Sequence, residues 1–233
     1  MNIHVIQNDP IVGPGYIKEW AEDNHHVLTI TNGNKLHTYP NLADFDLLIV
    51  LGGRMAAYEE ANYPWLADEK KWLQTVIENQ KYVLGICLGA QLIADAMGGK
   101  ARKHTHQEIG WWNIDFRDEA KSHPLLAEFP KQLAFYQFHG DTFSLPEEAI
   151  AVAENEACSN QAFVIGNHVL AVQFHPEMNV EIVASFIDQY GASLTEQQFV
   201  QNVNEMLNND HFQTSKSYMY QILHNFAEQI NAF

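Results

Sequence analysis

The chain has 233 residues, 46% of them hydrophobic, and 13 Lys+Arg against 29 Asp+Glu give a net charge of −16 at pH 7. That suits one large α/β domain, or a domain with an appendage, around a sizeable core, while so acidic a surface repels phosphate backbones and anionic lipid and argues against nucleic acid or membrane partners. No apolar run approaches membrane length, the start MNIHVIQNDP lacks a signal-peptide pattern, and two cysteines, Cys87 and Cys158, cannot build a disulfide framework, so a cytoplasmic protein with reduced thiols is expected.

In chain order, residues 3–7 and 27–30 read as strands around a helix near 16–22. Residues 47–51 (LLIVL) are a continuous apolar run, the pattern of a strand buried on both faces. Asn62-Tyr-Pro64 opens a helix, with Pro64 in the tolerant first turn and Trp65, Glu69, Trp72, Leu73, Val76 and Ile77 on one face, apolar apart from the acid. Residues 82–86 then read as strand, and Leu88, Leu92, Ile93 and Met97 recur at helical spacing. This βαβα rhythm predicts a doubly wound, mostly parallel sheet flanked by helices. From about residue 101 the elements shorten into strand-like pieces at 109–114, 133–138, 149–153, 163–165 and 169–174, read as a small antiparallel extension and a return to the central sheet. Asn179 caps a helix carrying Ile182, Val183, Phe186, Ile187 and Tyr190, which Gly191 ends. Thr195 and Gln198 form a capping box for a helix continuing through Phe199, Val203, Met206 and Leu207, and a last helix aligns Met219, Ile222, Leu223, Phe226 and Ile230. Residues 1–191 are thus one domain, and 192–233 a C-terminal helical extension that packs on it or mediates self-association.

Three stretches carry chemistry. In VLGICLGAQ (residues 83–91) strand passes into helix at Cys87 between Gly85 and Gly89, the pattern of a nucleophile elbow with sulfur in place of hydroxyl. A thiol at a helix N-terminus is also biased toward the thiolate by the peptide dipoles. Gly52-Gly53 follows the apolar strand 47–51 and can turn a backbone N–H toward a developing oxyanion, with the Leu88 N–H as second donor. In QFHPE (residues 173–177) His175 can take the thiol proton and Glu177 can fix the imidazole, while Pro176 keeps His175 extended. Taken singly, these read as a buried cysteine, a tight turn and a structural histidine. All three fall at the carboxyl ends of predicted strands, where open α/β sheets collect their sites.

With these motifs the chain resembles a class I glutamine amidotransferase, in particular the stand-alone proteins similar to the glutaminase domain of GMP synthase. LGGRM (51–55), YPWL (63–66), EIGW (108–111), HGDTF (139–143) and NQAF (160–163) join the two specific motifs, in family order over residues 1–190. The resemblance implies a flavodoxin-like α/β fold of the glutamine amidotransferase kind. It also implies that Cys87 attacks the side-chain amide of glutamine, that His175 protonates the departing ammonia and Glu177 orients it, and that water hydrolyses the thioester. The backbone N–H groups of Gly53 and Leu88 would hold the oxyanion, and Gln91 and the backbone at Phe138 and His139 would contact substrate. Arg54 departs from the proline or small residue of many relatives and is read as a solvated surface arginine.

Ammonia made this way is useful only if passed on, and the chain has no Gly-x4-Gly-Lys-Ser/Thr loop. A separate synthetase subunit is one expectation. A γ-glutamyl hydrolase acting on a small γ-glutamyl compound is the alternative, and a non-catalytic binding or regulatory protein on the same scaffold is a third reading. No cofactor is expected. His104 and His106 are two histidines on one side of a strand without a nearby third ligand, so no metal is assigned and they are read as surface residues. Trp111 and Trp112 are read as one inward and one outward strand residue, Asp141 as a substrate contact or an Asx-type turn, and Cys158 as structural.

Overall fold

In the computed structural model, residues 1–35, 38–195, 197–207 and 210–232 are described. The first half runs β1 (Asn2–Gln7), α1 (Gly15–Asp23), β2 (Val27–Asn32), β3 (Leu47–Val50), α2 (Trp65–Glu78), β4 (Tyr82–Ile86) and α3 (Leu88–Ala96). The second half runs β5 (Lys100–Phe116), α4 (Asp118–Lys121), β6 (Gln132–Ser144), β7 (Ile150–Glu154), β8 (Ala162–Ile165), β9 (Val169–Val172), α5 (Val180–Tyr190), α6 (Val203–Leu207) and α7 (His211–Asn231). Among the described residues the strands form one nine-stranded sheet in the order β2-β1-β3-β4-β9-β8-β7-β5-β6. The first five are parallel, and β8, β7, β5 and β6 continue antiparallel, so the doubly wound α/β fold with an antiparallel extension is what the chain adopts.

Side-chain alternation along the central strands explains the two helical layers. Leu47, Ile49, Leu84, Ile86, Leu170 and Val172 point into one apolar layer with Ile17 and Trp20 of α1, Val183 and Phe186 of α5, and Met219 and Leu223 of α7. Leu48, Val50, Val83, Val169 and Ala171 point into the other, against Leu66, Leu73 and Val76 of α2 and Leu92 and Ile93 of α3. Strands covered on both faces need no polar alternation, which is why β3 is apolar and buried at every position.

Several expectations are corrected. Two of the elements after residue 101 are not short: β5 has 17 residues and β6 has 13, whereas β7, β8 and β9 have 5, 4 and 4. Residues 102–107 of β5 are polar or charged and mostly exposed, and a register break between Lys103 and Glu108 interrupts the pairing, so no apolar run marks the strand's length. Asp141 lies within β6, not in a turn. The capping box at Thr195 and Gln198 opens no helix. Gln197 and Val200 close a tight turn that pairs Val200 with Ile109, and helix begins only at Val203. The helix from Asn179 does end at Tyr190 with Gly191 as its C-cap, as expected, and the chain runs on into a 3-10 turn over Gly191–Ser193.

Candidate active site

Cys87 alone separates β4 from α3, and its φ of 53° and ψ of −107° lie in a region that costs a non-glycine residue about 1–3 kcal/mol. The surroundings hold it there. Its N–H donates to Val172 O of β9 (2.8 Å) and its carbonyl accepts from Gln91 N–H (3.1 Å). The flanking glycines are steric requirements: a Cβ on Gly89 would stand 2.1 Å from Val50 O, and one on Gly85 would stand 2.5 Å from Ile93 Cδ1. The side chain is thereby lifted off the carboxyl edge of the sheet at the N-terminus of α3.

His175 follows β9, the parallel neighbour of β4, and its N–H donates to Tyr136 O (2.8 Å) of β6. Its Nδ1 lies 2.8 Å from Glu177 Oε1, and both side chains are buried. Its ring and the Cys87 side chain border the same cavity on either side of Gly52, so residues 87 and 175 approach each other from two adjacent strand ends. Burial alone would depress the imidazole, but the Glu177 carboxylate and the negative charge available at Cys87 outweigh it and raise its pKa to about 10. Gly52 wedges against both partners: an ideal Cβ there would lie 3.1 Å from His175 Cε1 and 3.4 Å from Cys87 Cβ.

These groups face a cavity of about 260 Å³ lined by Cys87, His175, Gly53, Gln91, Phe138 and His139 among others, below the range typical of drug-sized ligands and suited to an amino acid or a small derivative. Glu177 lies buried behind His175, and Leu88 is the first residue of α3, where its N–H has no intrahelical acceptor. Gln91 Nε2 donates to Gln173 Oε1 (3.1 Å), so its amide is already oriented. The Phe138 ring packs on Phe186 and Tyr190 of α5.

Other side chains surround these groups, and Glu108 is one that sequence reasoning gave no role of its own. His139 Nε2 lies 3.0 Å from Glu108 Oε2, and Asn155 and Gln161 donate to the same carboxylate (2.6 and 2.9 Å). Burial by itself would push Glu108 up, yet His139, Asn155 and Gln161 hold it below the usual carboxylate range. Arg54 is not loosely solvated. It pairs through Nε (2.7 Å) and Nη2 (3.0 Å) with Asp9, whose side chain is fully buried. Asp141 accepts from Tyr58 Oη (3.2 Å), and Trp111 is buried while Trp112 is half-buried. Cys158 Sγ lies 3.2 Å from Thr142 Oγ1, and burial pushes its thiol up, away from thiolate chemistry. His104 is half-buried and His106 exposed, and among the described residues no three His, Cys, Asp or Glu group as a metal site. No helix of the described residues is long and apolar enough to cross a membrane.

The sequence model of the family described as glutamine amidotransferase class-I matches residues 18–184. A putative glutamine amidotransferase-like protein of Salmonella typhimurium is 31% identical over 215 residues, covering 88% of this chain and 89% of that one. Gamma-glutamyl peptidase 3 of Arabidopsis thaliana is 32% identical over 165 residues, covering 68% of this chain and 66% of the relative. Among solved structures, a glutamine amidotransferase from Thermotoga maritima superposes with a TM-score of 0.89 at 27% identity, covering 98% of both chains.

Proposed function

The chain belongs to the class I glutamine amidotransferases, and from that membership we propose that it hydrolyses the side-chain amide of glutamine through a thioester on Cys87. The observation that carries this is the strained Cys87 at a strand–helix junction, facing the same cavity as His175, whose Nδ1 is held by the buried carboxylate of Glu177.

The sulfur forms a bond to the amide carbon and the C=O electrons move onto oxygen, where the N–H groups of Gly53 and Leu88 receive them. With Nδ1 committed to Glu177, Nε2 of His175 gives its proton to the leaving nitrogen as the C–N bond breaks and ammonia departs. Water then loses a proton to His175 as it attacks the thioester, the C–S bond breaks, and glutamate leaves with the thiolate restored. Gln91 and the Phe138–His139 backbone line the cavity that would receive the amino-acid end. Ammonia would pass to a separate acceptor enzyme.

The second reading, hydrolysis of a small γ-glutamyl compound by the same thioester route, is favoured by the gamma-glutamyl peptidase relative. One experiment separates them. The purified chain is incubated with glutamine and with γ-glutamyl dipeptides, glutamate and ammonia are followed, and Cys87→Ala is the control. Glutamate from glutamine, lost in Cys87→Ala, is expected; turnover of dipeptides alone selects the hydrolase. No turnover of either, with no labelling of Cys87 by a glutamine-like chloroketone, refutes both.

A further inference from the structure

We propose that Asp9 and Arg54 are positioning residues that lock the Gly52-Gly53 loop against Cys87, so that this chain by itself holds its oxyanion loop ordered. The inference rests on the reaction proposed above. Asp9 comes from the loop after β1 and Arg54 from the loop after β3, the two strands being parallel neighbours. The Asp9 side chain is 0% exposed, and four donors converge on it. Oδ2 accepts from Arg54 Nε (2.7 Å) and from the Arg54 backbone N–H (3.2 Å), and Oδ1 accepts from Arg54 Nη2 (3.0 Å) and the Ile11 N–H (3.3 Å). A fork of this kind, charge-assisted and two-pronged, is specific to a guanidinium facing a carboxylate.

The decisive contact is the backbone one. It fixes the peptide plane between Gly53 and Arg54, next to a residue with no Cβ and the widest conformational freedom. The side-chain fork then anchors the same residue a second time. What the loop touches makes its position matter: Gly52 packs beside His175 and Cys87, and Gly53 beside Leu88 and Met55. A loop free to rotate would present a carbonyl instead of an N–H to the oxyanion. Arg54 lines the cavity and its side chain is 54% exposed, so an arginine that could wave in solvent is instead committed to a buried acid.

The test uses the full chain as wild type, Asp9→Asn, Arg54→Lys, Arg54→Met and the Asp9→Asn/Arg54→Met double variant. Readouts are kcat and KM on the substrate the wild type turns over, alkylation of Cys87 by iodoacetamide, and amide hydrogen exchange over residues 52–55. Iodoacetamide reacts at a saturated carbon and builds no oxyanion, so it reports the thiolate but not the loop. Losing one oxyanion donor costs about 10²–10³ in kcat. A mis-set loop is therefore expected to lower kcat by roughly tenfold to a hundredfold in Asp9→Asn and Arg54→Met, with KM within about threefold, alkylation within about twofold, and exchange over 52–55 at least about tenfold faster. Arg54→Lys recovers part of kcat, and the double variant falls no further than its worse single parent. The proposal is overturned if kcat and exchange stay at wild-type values, or if alkylation falls in parallel with kcat. Should Asp9→Asn fail to fold, the two Arg54 substitutions decide alone. A wild type inactive on glutamine and γ-glutamyl compounds refutes the proposed reaction, and exchange over 52–55 still decides the lock.

Discussion

His175 sits dry between Glu177 and Cys87, and this sets how it answers to pH. Its folded-state pKa is raised to about 10, above the ordinary value of 6.5, because Glu177 and Cys87 outweigh the cost of burial. The stability it contributes is therefore fully present below pH 6.5 and is lost as pH rises through about 10. Urea unfolding of the wild type should show stability declining from about pH 6.5 upward to about pH 10, and Glu177→Gln should flatten that decline. The same substitution leaves His175 without its anionic orienter and should lower turnover by up to about 10⁴, the loss seen when a triad aspartate becomes asparagine. Glu69 has the same sign from a different cause, burial in place of neighbouring charge. It is fully buried on α2, with Asn8 Nδ2 3.0 Å from Oε1 as its one hydrogen bond among the described residues, and burial raises its pKa to about 7. The folded state thus holds a proton that the unfolded chain releases near pH 4.5, and stability falls as pH rises from there to about 7. Glu69→Gln should match wild type at pH 4.5 and exceed it at pH 8 by at most about 3 kcal/mol, read from denaturant midpoints. Asn8 Oδ1 is a buried acceptor without a partner among the described residues, so the introduced amide has something to donate to.

At the level of elements, the β4–Cys87–α3 unit is where packing and chemistry share the same atoms. Gly89→Ala would put a methyl 2.1 Å from Val50 O, backbone that cannot yield cheaply, and so push α3 away from β3. The expected loss is about 1–3 kcal/mol of unfolding free energy, with turnover falling as well because Leu88 moves with the helix. Wild-type activity in a folded Gly89→Ala protein would contradict this account. This unit was legible in the sequence because an apolar run, small flanking residues and a helical repeat meet at one cysteine. The bases at residues 173–177 and the loop at 52–53 were legible for the same reason, each ending an apolar strand. The Glu108–His139 pair was not: it depends on β5–β6 register, and the break between Lys103 and Glu108 hides that register. Asp9 was invisible too. Nothing in Asn8-Asp9-Pro10 announces an arginine 45 residues later, and only the adjacency of β1 and β3 brings them together. The Thr195–Gln198 pattern misled because the same residue types suit a turn, and pairing of Val200 with Ile109 claimed the backbone before a helix could.

For the molecule as a whole, the question is what α7 contributes. Met219, Ile222, Leu223 and Phe226 are 0% exposed and belong to the same apolar layer as α1, α5 and the inner face of the sheet. Polar contacts run along the helix as well: Tyr16 Oη donates to Phe212 O (3.4 Å), Trp20 Nε1 to His224 Nε2 (3.2 Å) and Tyr82 Oη to Gln229 O (3.2 Å). One reaches the site itself, where Ser215 Oγ donates to Pro176 O (3.2 Å) between His175 and Glu177. At about 1.5–3 kcal/mol for each buried side chain, the four apolar residues alone amount to about 6–12 kcal/mol, comparable with the entire net stability of a typical domain, about 5–15 kcal/mol. Deleting everything after Tyr190 should therefore yield insoluble or unfolded protein, read from soluble yield, thermal melting and size-exclusion profile. Leu223→Ala gives the graded version, a loss of about 2–5 kcal/mol and a melting temperature lower by about 2–4 °C for each kcal/mol. If the truncated chain kept its solubility, melting temperature and elution volume, the helix would be a passenger, and the buried layer it shares with α1 and the sheet would carry none of the stability ascribed to it.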